Sequence, residues 1–202
     1  MQNLIITIGR EVGTGGATIG KNLASKLGIK YYNKELIAEA AKRSGLHEEV
    51  FKDYDEKPTA SLLYNIVMNT YASWSVHDYN LPVKVFQVVI DTIKELAEQG
   101  SCVFIGRCAD YALADEPNVL SIFITAPEEY RVNHVMKKYG YSRENAIKLI
   151  RQKNKERKTY YEDNTGKEWG AAFSYNLCID VSKMDEDRVV DFIIEYIDSC
   201  GY

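Results

Sequence analysis

No apolar run in this chain approaches the length of a bilayer-spanning helix, which excludes an integral membrane segment of that kind. The first residues lead straight into a β-branched run rather than a leader pattern, so the expected location is cytoplasmic. Positive charge is also in short supply. Lys and Arg number 25 against 29 Asp and Glu, giving a formal charge of -4. Without a general basic field, a nucleic-acid polymer is not an expected partner, although a local basic cluster still suits a small anion. The four cysteines, Cys102, Cys108, Cys178 and Cys200, form no CxxC pair. Cys102 and Cys178 fall in strand-like runs, so buried, reduced thiols are expected rather than a metal site or disulfides. His47, His77 and His134 share no metal-ligand spacing, and neither a Ser/His/Asp signature nor paired catalytic carboxylates occur. Internal repeats and low-complexity tracts are likewise missing.

What the sequence does have is an alternation of short apolar runs and helical patterns. With 202 residues, 46% of them hydrophobic, it suits one globular domain with a small appended lobe. Apolar runs at 4–8, 29–32, 102–105, 119–124 and 177–181 alternate with helical patterns at 16–27, 34–44, 60–73, 82–99, 127–138, 142–157 and 185–199. That order predicts an α/β fold: a five-stranded parallel sheet covered by helices on both faces, in three layers. Asn33, Pro127 and Ser142 mark expected helix starts. The stretch 51–81 separates the second and third strands by far more than a crossover needs, and predicts an inserted helical lobe over about 45–81.

The first strand opens into Gly9-Arg10-Glu11-Val12-Gly13-Thr14-Gly15-Gly16-Ala17-Thr18. Strand, glycines, helix is the order that converges backbone N–H groups and a helix N-terminus on phosphate. Gly13, Thr14, Gly15, Gly16, Ala17 and Thr18 are therefore the expected cofactor cradle, with Thr18 a candidate Mg²⁺ hydroxyl or an ordinary first-turn threonine. In the pattern G-x-x-x-x-G-K-[ST], however, lysine belongs where Gly16 stands. Arg10, in the loop itself, is the best replacement cation, because guanidinium binds phosphate bidentately; Lys21 reads as a surface residue. A second cation, Arg107, follows the strand in Gly106-Arg107-Cys108-Ala109-Asp110, at the sheet edge where open α/β folds hold ligands. A third group, Arg151-Gln152-Lys153-Asn154-Lys155-Glu156-Arg157-Lys158, is either a solvated helix face or, over about 151–168, a lid that brings cations over a transferring phosphoryl group. Asn33 and Lys34 either face a substrate or serve as cap and solvent-facing residue.

Together the motif 6–16, Ile29-Lys30-Tyr31-Tyr32-Asn33-Lys34-Glu35-Leu36-Ile37, the Gly106-Arg107 segment, Ala126-Pro127-Glu128-Glu129-Tyr130-Arg131 and Tyr160-Tyr161 through Trp169-Gly170 resemble the cytidylate kinase-like family, a branch of the P-loop nucleoside monophosphate kinases. The resemblance spans almost the whole chain. It implies a three-layer P-loop NTPase fold with an acceptor lobe and a lid, ATP and Mg²⁺ as cofactors, and CMP as first-choice acceptor. It implies that residues 13–18 cradle donor phosphates, that Arg107 with Asn33, Lys34 and Asp110 meets the acceptor, and that Arg10, Arg107, Arg151 and Arg157 serve catalysis. The implied partner is a small-molecule nucleotide, with a homodimer left open. The chain departs from true cytidylate kinases at Gly16, Ile105, Cys108 and Asn33, where lysine, two acids and aspartate are usual. A nucleotide-binding module without turnover, and a kinase of a non-nucleotide metabolite, are the competing expectations.

Overall fold

The computed structural model describes residues 3–45, 47–49, 51, 55–56 and 81–202. The helical pattern expected at 60–73, and nearly all of the expected lobe, lie outside the described residues. The rest follows the alternation in the sequence. Strands β1 (Ile5–Arg10), β2 (Lys30–Tyr32), β3 (Cys102–Ile105), β4 (Val119–Thr125) and β5 (Leu177–Asp180) form one parallel sheet in the order β2-β3-β1-β4-β5. The helices are α1 (Gly16–Leu27), α2 (Glu35–Ser44), α3 (Leu81–Glu98), α4 (Ala109–Ala112), α5 (Glu128–Tyr139), α6 (Arg143–Thr165) and α7 (Glu186–Cys200).

The two-residue period of the strands sends alternate side chains to opposite layers. Ile6, Ile8, Val103 and Ile105 pack towards Ile19 and Leu23 of α1 and Val189 and Ile193 of α7. Ile5, Cys102 and Phe104 face the other way, onto Leu36 and Ile37 of α2 and Val89 and Ile93 of α3. A smaller apolar seam, Val132 and Val135 against Ala146 and Ile150, joins α5 to α6. Burial on both faces explains why the central strands read as continuous apolar runs. No helix among the described residues is long and apolar enough to cross a membrane.

Three local expectations need correction. Cys102 and Cys108 are buried, but Cys178 and Cys200 are exposed free thiols. Among the described residues β5 pairs only with β4, and its alternation buries Ile179 while turning Cys178 outward. Second, the helix expected at 142–157 runs on to Thr165, where Gly166 ends it in the left-handed region at φ 68°. Its charged run is helix-forming and laced by Gln152–Glu156 and Lys158–Glu162 contacts one turn apart. Third, Asn33 does not cap α2; Lys34 takes that position, and the Asn33 side-chain oxygen Oδ1 accepts from Arg107 Nη1 at 3.5 Å. Ser142 caps α6 as expected, its hydroxyl accepting from the Asn145 N–H at 3.3 Å.

Candidate active site

The carboxyl ends of β1 and β3, the loop into α1, and the middle of α6 enclose a cleft of about 560 Å³. That is within the range of small-molecule sites. Gly13, Gly15, Gly16, Ala17 and Thr18 line it; Thr14 does not. The Thr14 side chain is turned into the loop, donating to the Glu11 carbonyl at 2.9 Å and accepting from the Gly16 N–H at 3.3 Å. Gly13 and Gly15 adopt φ of 89° and 77°, the alternating backbone that gathers successive N–H groups into an anion-binding nest. A Cβ on Gly13 would also fall 2.6 Å from the Arg131 carbonyl oxygen, so α5 closes one side of the loop.

The missing lysine has a steric counterpart. A Cβ on Gly16 would lie 2.8 Å from Arg10 Cβ and 3.1 Å from its Cγ. The stem of Arg10 fills the space through which a residue-16 side chain would pass, and its guanidinium goes on into the cleft. Gly16 and Arg10 are therefore one device: the cation has moved from the helix to the end of β1.

Arg10 is joined there by Arg107 and Arg157, all three of them cleft-lining. Arg10 and Arg107 are buried, at 8% and 4% exposure, and buried guanidinium groups require paired acceptors. Two carboxylates supply them. Glu56 accepts from Arg10 Nη1 at 2.5 Å and Nη2 at 3.1 Å, and from Arg157 Nε at 3.2 Å. Asp55 forks onto Arg107, with 2.7 Å to Nε and 2.8 Å to Nη2. Burial alone would raise the Glu56 pKa, but Arg10, Arg157 and Arg107 outweigh it and hold the carboxyl far below the usual range. Arg157 is lowered to about 10 by burial and by the charge of Arg10, and stays a cation at neutral pH. For Arg107, burial is outweighed by Asp55 and Glu56, and its pKa is raised. Arg107 and Cys108 hold φ of 55° and 57°, an uncommon backbone for residues with side chains and one that clusters at functional sites.

Around this centre Glu11 ties three elements together. Its carboxylate accepts from Thr125 of β4 at 2.5 Å, from Asn154 of α6 at 3.3 Å, and pairs with Arg131 of α5 at 3.4 Å. Asn154 also accepts from the Val12 N–H at 2.8 Å, fastening α6 to the glycine loop. Behind the cleft lies a second, smaller cavity lined by Tyr160, Tyr161, Trp169 and Tyr175 together with Asp110. The Asp110 carboxylate accepts from the Tyr161 hydroxyl at 2.6 Å, and its pKa is raised, chiefly by burial.

The sequence-predicted residues thus separate. Arg10, Arg107, Arg157, Asn33, Lys34, Thr18 and the glycines share one cleft. Asp110 borders the cavity behind it. Arg151 is not brought in: it is exposed on the outer face of α6 and pairs with Glu128 at 3.1 Å. Asp55, Glu56, Glu11 and Asn154 carry no signal in the motifs that single them out. Asp55 and Glu56 sit in a charged run indistinguishable from a solvated one, and Glu11 and Asn154 are known as partners only after the chain folds.

A parallel sheet in this order, a glycine loop after β1 and arginines at its carboxyl edge define an α/β P-loop fold. A crystal structure of a shikimate kinase from Bacteroides thetaiotaomicron shares it, with a TM-score of 0.56 at 13% identity over 96% of this chain and 98% of that one. A family-wide profile described as the "Cytidylate kinase-like family" matches residues 5–183, and the chain belongs to that family. An uncharacterized protein from Eubacterium ventriosum, solved by crystallography, superposes with a TM-score of 0.73 at 30% identity, covering 97% of this chain and 99% of that chain. The cytidylate kinases of Methanopyrus kandleri and Methanocaldococcus jannaschii are each 27% identical, over 97% of this chain and 94% and 98% of theirs. The family is thus the cytidylate kinase-like one, and the fold is the α/β P-loop fold.

Proposed function

We propose that the protein moves the γ-phosphoryl group of ATP onto CMP or a related small acceptor. The convergence of Arg10, Arg107 and Arg157 beside the 13–18 loop carries this reading. Phosphoryl transfer asks little covalent chemistry of a protein; it needs positioning and charge neutralisation at the equatorial oxygens. The bond between the β,γ-bridging oxygen and the γ-phosphorus breaks, a bond from an acceptor oxygen to that phosphorus forms, and ADP departs. In this reading the loop amides hold the donor phosphates, Arg10 replaces the P-loop lysine, and Arg107 with Asn33 and Lys34 meets the acceptor.

Mg²⁺ fits the residues present in one manner only. Among the described residues no cluster of three or more His, Cys, Asp or Glu forms a protein cage. Thr18 lines the cleft, and Mg²⁺ characteristically takes few protein ligands and completes its shell with phosphate oxygens and water. Thr18 would hold it, and the ion would neutralise phosphate charge.

The test is coupled ADP release with ATP and Mg²⁺ over a panel of nucleoside monophosphates and hydroxylated metabolites. Turnover with CMP above the rest is the expected result; turnover only with a non-nucleotide moves the acceptor class. ATP binding by calorimetry with no turnover on any acceptor leaves a nucleotide-binding module. Ile105 and Cys108 favour that second reading, because both are buried and apolar where cytidylate kinases carry acids.

A further inference from the structure

The cleft and the cavity behind it share Arg10, Glu56, Arg107 and Arg157 as walls. Of these four, Glu56 is the anion. Its carboxylate stands between the two spaces, between the glycine loop on one side and the Tyr160–Tyr161 chamber on the other. It rests on Gly106: a Cβ there would collide with both Arg10 Nη1 and Glu56 Oε1. The Glu56 backbone has φ 53°, a left-handed conformation disfavoured for any residue with a Cβ. The segment therefore accepts strain to put this carboxylate on these guanidiniums.

We propose that, in the ligand-free protein, the Glu56 carboxylate holds the place of the transferring phosphoryl group. A polyphosphate must then displace it, together with Asp55, to occupy the site. The inference rests on the phosphoryl-transfer reading and adds a competitor built into the chain. Carboxylate and phosphoryl oxygens are equivalent acceptors for a guanidinium fork, so one can stand in for the other. Within this cluster, three guanidiniums against two carboxylates leave a single net positive charge, and with the carboxylates gone the cluster has three. An incoming polyphosphate placed beside Glu56 would meet a buried like charge at contact distance, which low-dielectric surroundings make prohibitive. Departure of Glu56 opens the wall between the two spaces and yields one crevice across the sheet edge, with donor loop and aromatic chamber at opposite ends.

Calorimetric titration of inorganic tripolyphosphate into the wild-type protein, Glu56→Gln and the Asp55→Asn/Glu56→Gln double variant tests this. Removing an internal competitor should tighten binding by roughly tenfold in E56Q and further in the double variant, within the usual range of coupling between exclusive occupants. Equal or weaker binding by folded E56Q would overturn the proposal, since Glu56 would then be a fixed support for Arg10 and Arg157. Should E56Q fail to fold, hydrogen exchange on the wild type decides. The Asp55 and Glu56 amides should exchange faster when tripolyphosphate is bound, and unchanged or slower exchange overturns displacement. No tripolyphosphate binding by any of the proteins overturns both this inference and the phosphoryl-transfer reading. Tighter binding by E56Q without turnover on any acceptor leaves the inference standing and removes only catalysis.

Discussion

Gly16 shows how a single position carries the chemistry of a whole motif. The left-handed glycines 13 and 15 shape the loop, but Gly16 has ordinary backbone and is there for space. Its neighbours are Cβ and Cγ of Arg10, the rigid root of a side chain whose far end is pinned on Glu56. Root atoms cannot swing aside, so even one methyl group overpacks the site. Gly16→Ala should cost about 1–3 kcal/mol, as overpacked substitutions do. For a chain this size each kcal/mol lowers the melting temperature by about 2–4 °C. Gly16→Lys, which restores the usual motif on paper, should lose at least as much stability and bind ATP more weakly than the wild type. Melting curves and ATP calorimetry on the two variants check this, and a G16K protein that melts at the wild-type temperature and gains ATP affinity would sink the account. The loop was legible in the sequence because glycine spacing after a β-branched run is a local signal. The reason for Gly16 was not, because Arg10 comes to lie over it only once β1 and α1 are folded together.

At the scale of elements, the strands and most helices were readable because their periods are local and, in β1 and β3, burial runs along both faces. The errors have a common physical origin in what lies opposite each residue. Cys178 sits on a strand at the sheet edge with its side chain exposed, and the basic run of α6 continues as helix because its charges pair one turn apart. Docking of α6 onto the loop depends on Asn154, whose amide bridges the Val12 N–H and the Glu11 carboxylate. Cutting this part-buried bridge leaves the Val12 N–H without its acceptor, while Glu11 keeps Thr125 and Arg131, at about 1 kcal/mol. Asn154→Ala is therefore expected to destabilise the fold by that amount in urea titrations, and to weaken ATP binding as the loop loosens. Asn154→Asp keeps the acceptor for Val12 but sets a carboxylate against Glu11, so it should not rescue. Rescue by Asp to wild-type stability would show that Glu11 plays no part in the bridge.

For the whole molecule, the arginine–carboxylate centre makes stability depend on acidity in a defined direction. The Glu56 carboxyl has its pKa depressed by the three guanidiniums in the native protein, whereas in the unfolded chain it titrates near the ordinary glutamate value of about 4.3. A depressed native pKa contributes stability that is fully present above the unfolded value and is lost as pH falls towards the native one. The loss begins near pH 5 although native Glu56 is still ionised there, because the unfolded chain takes up the proton first. Asp110 works in the opposite sense: burial raises its pKa, so its penalty is greatest at neutral pH and is relieved on acidification. Glu56→Gln separates the two contributions, since it leaves Asp110 in place. At pH 7 the variant leaves one buried guanidinium, Arg10, and one partly exposed, Arg157, without their carboxylate, a loss of about 2–3 kcal/mol, below that of a fully buried broken pair. The gap between wild type and E56Q in urea midpoints should therefore be widest at neutral pH and narrow steadily from about pH 5 to pH 3. A gap that stays constant over that interval would mean that Glu56 is not tightly ion-paired in solution. The same carboxylate that holds the ligand-free protein together at neutral pH is the group a polyphosphate has to replace. Bound tripolyphosphate should accordingly raise the melting temperature of E56Q more than that of the wild type.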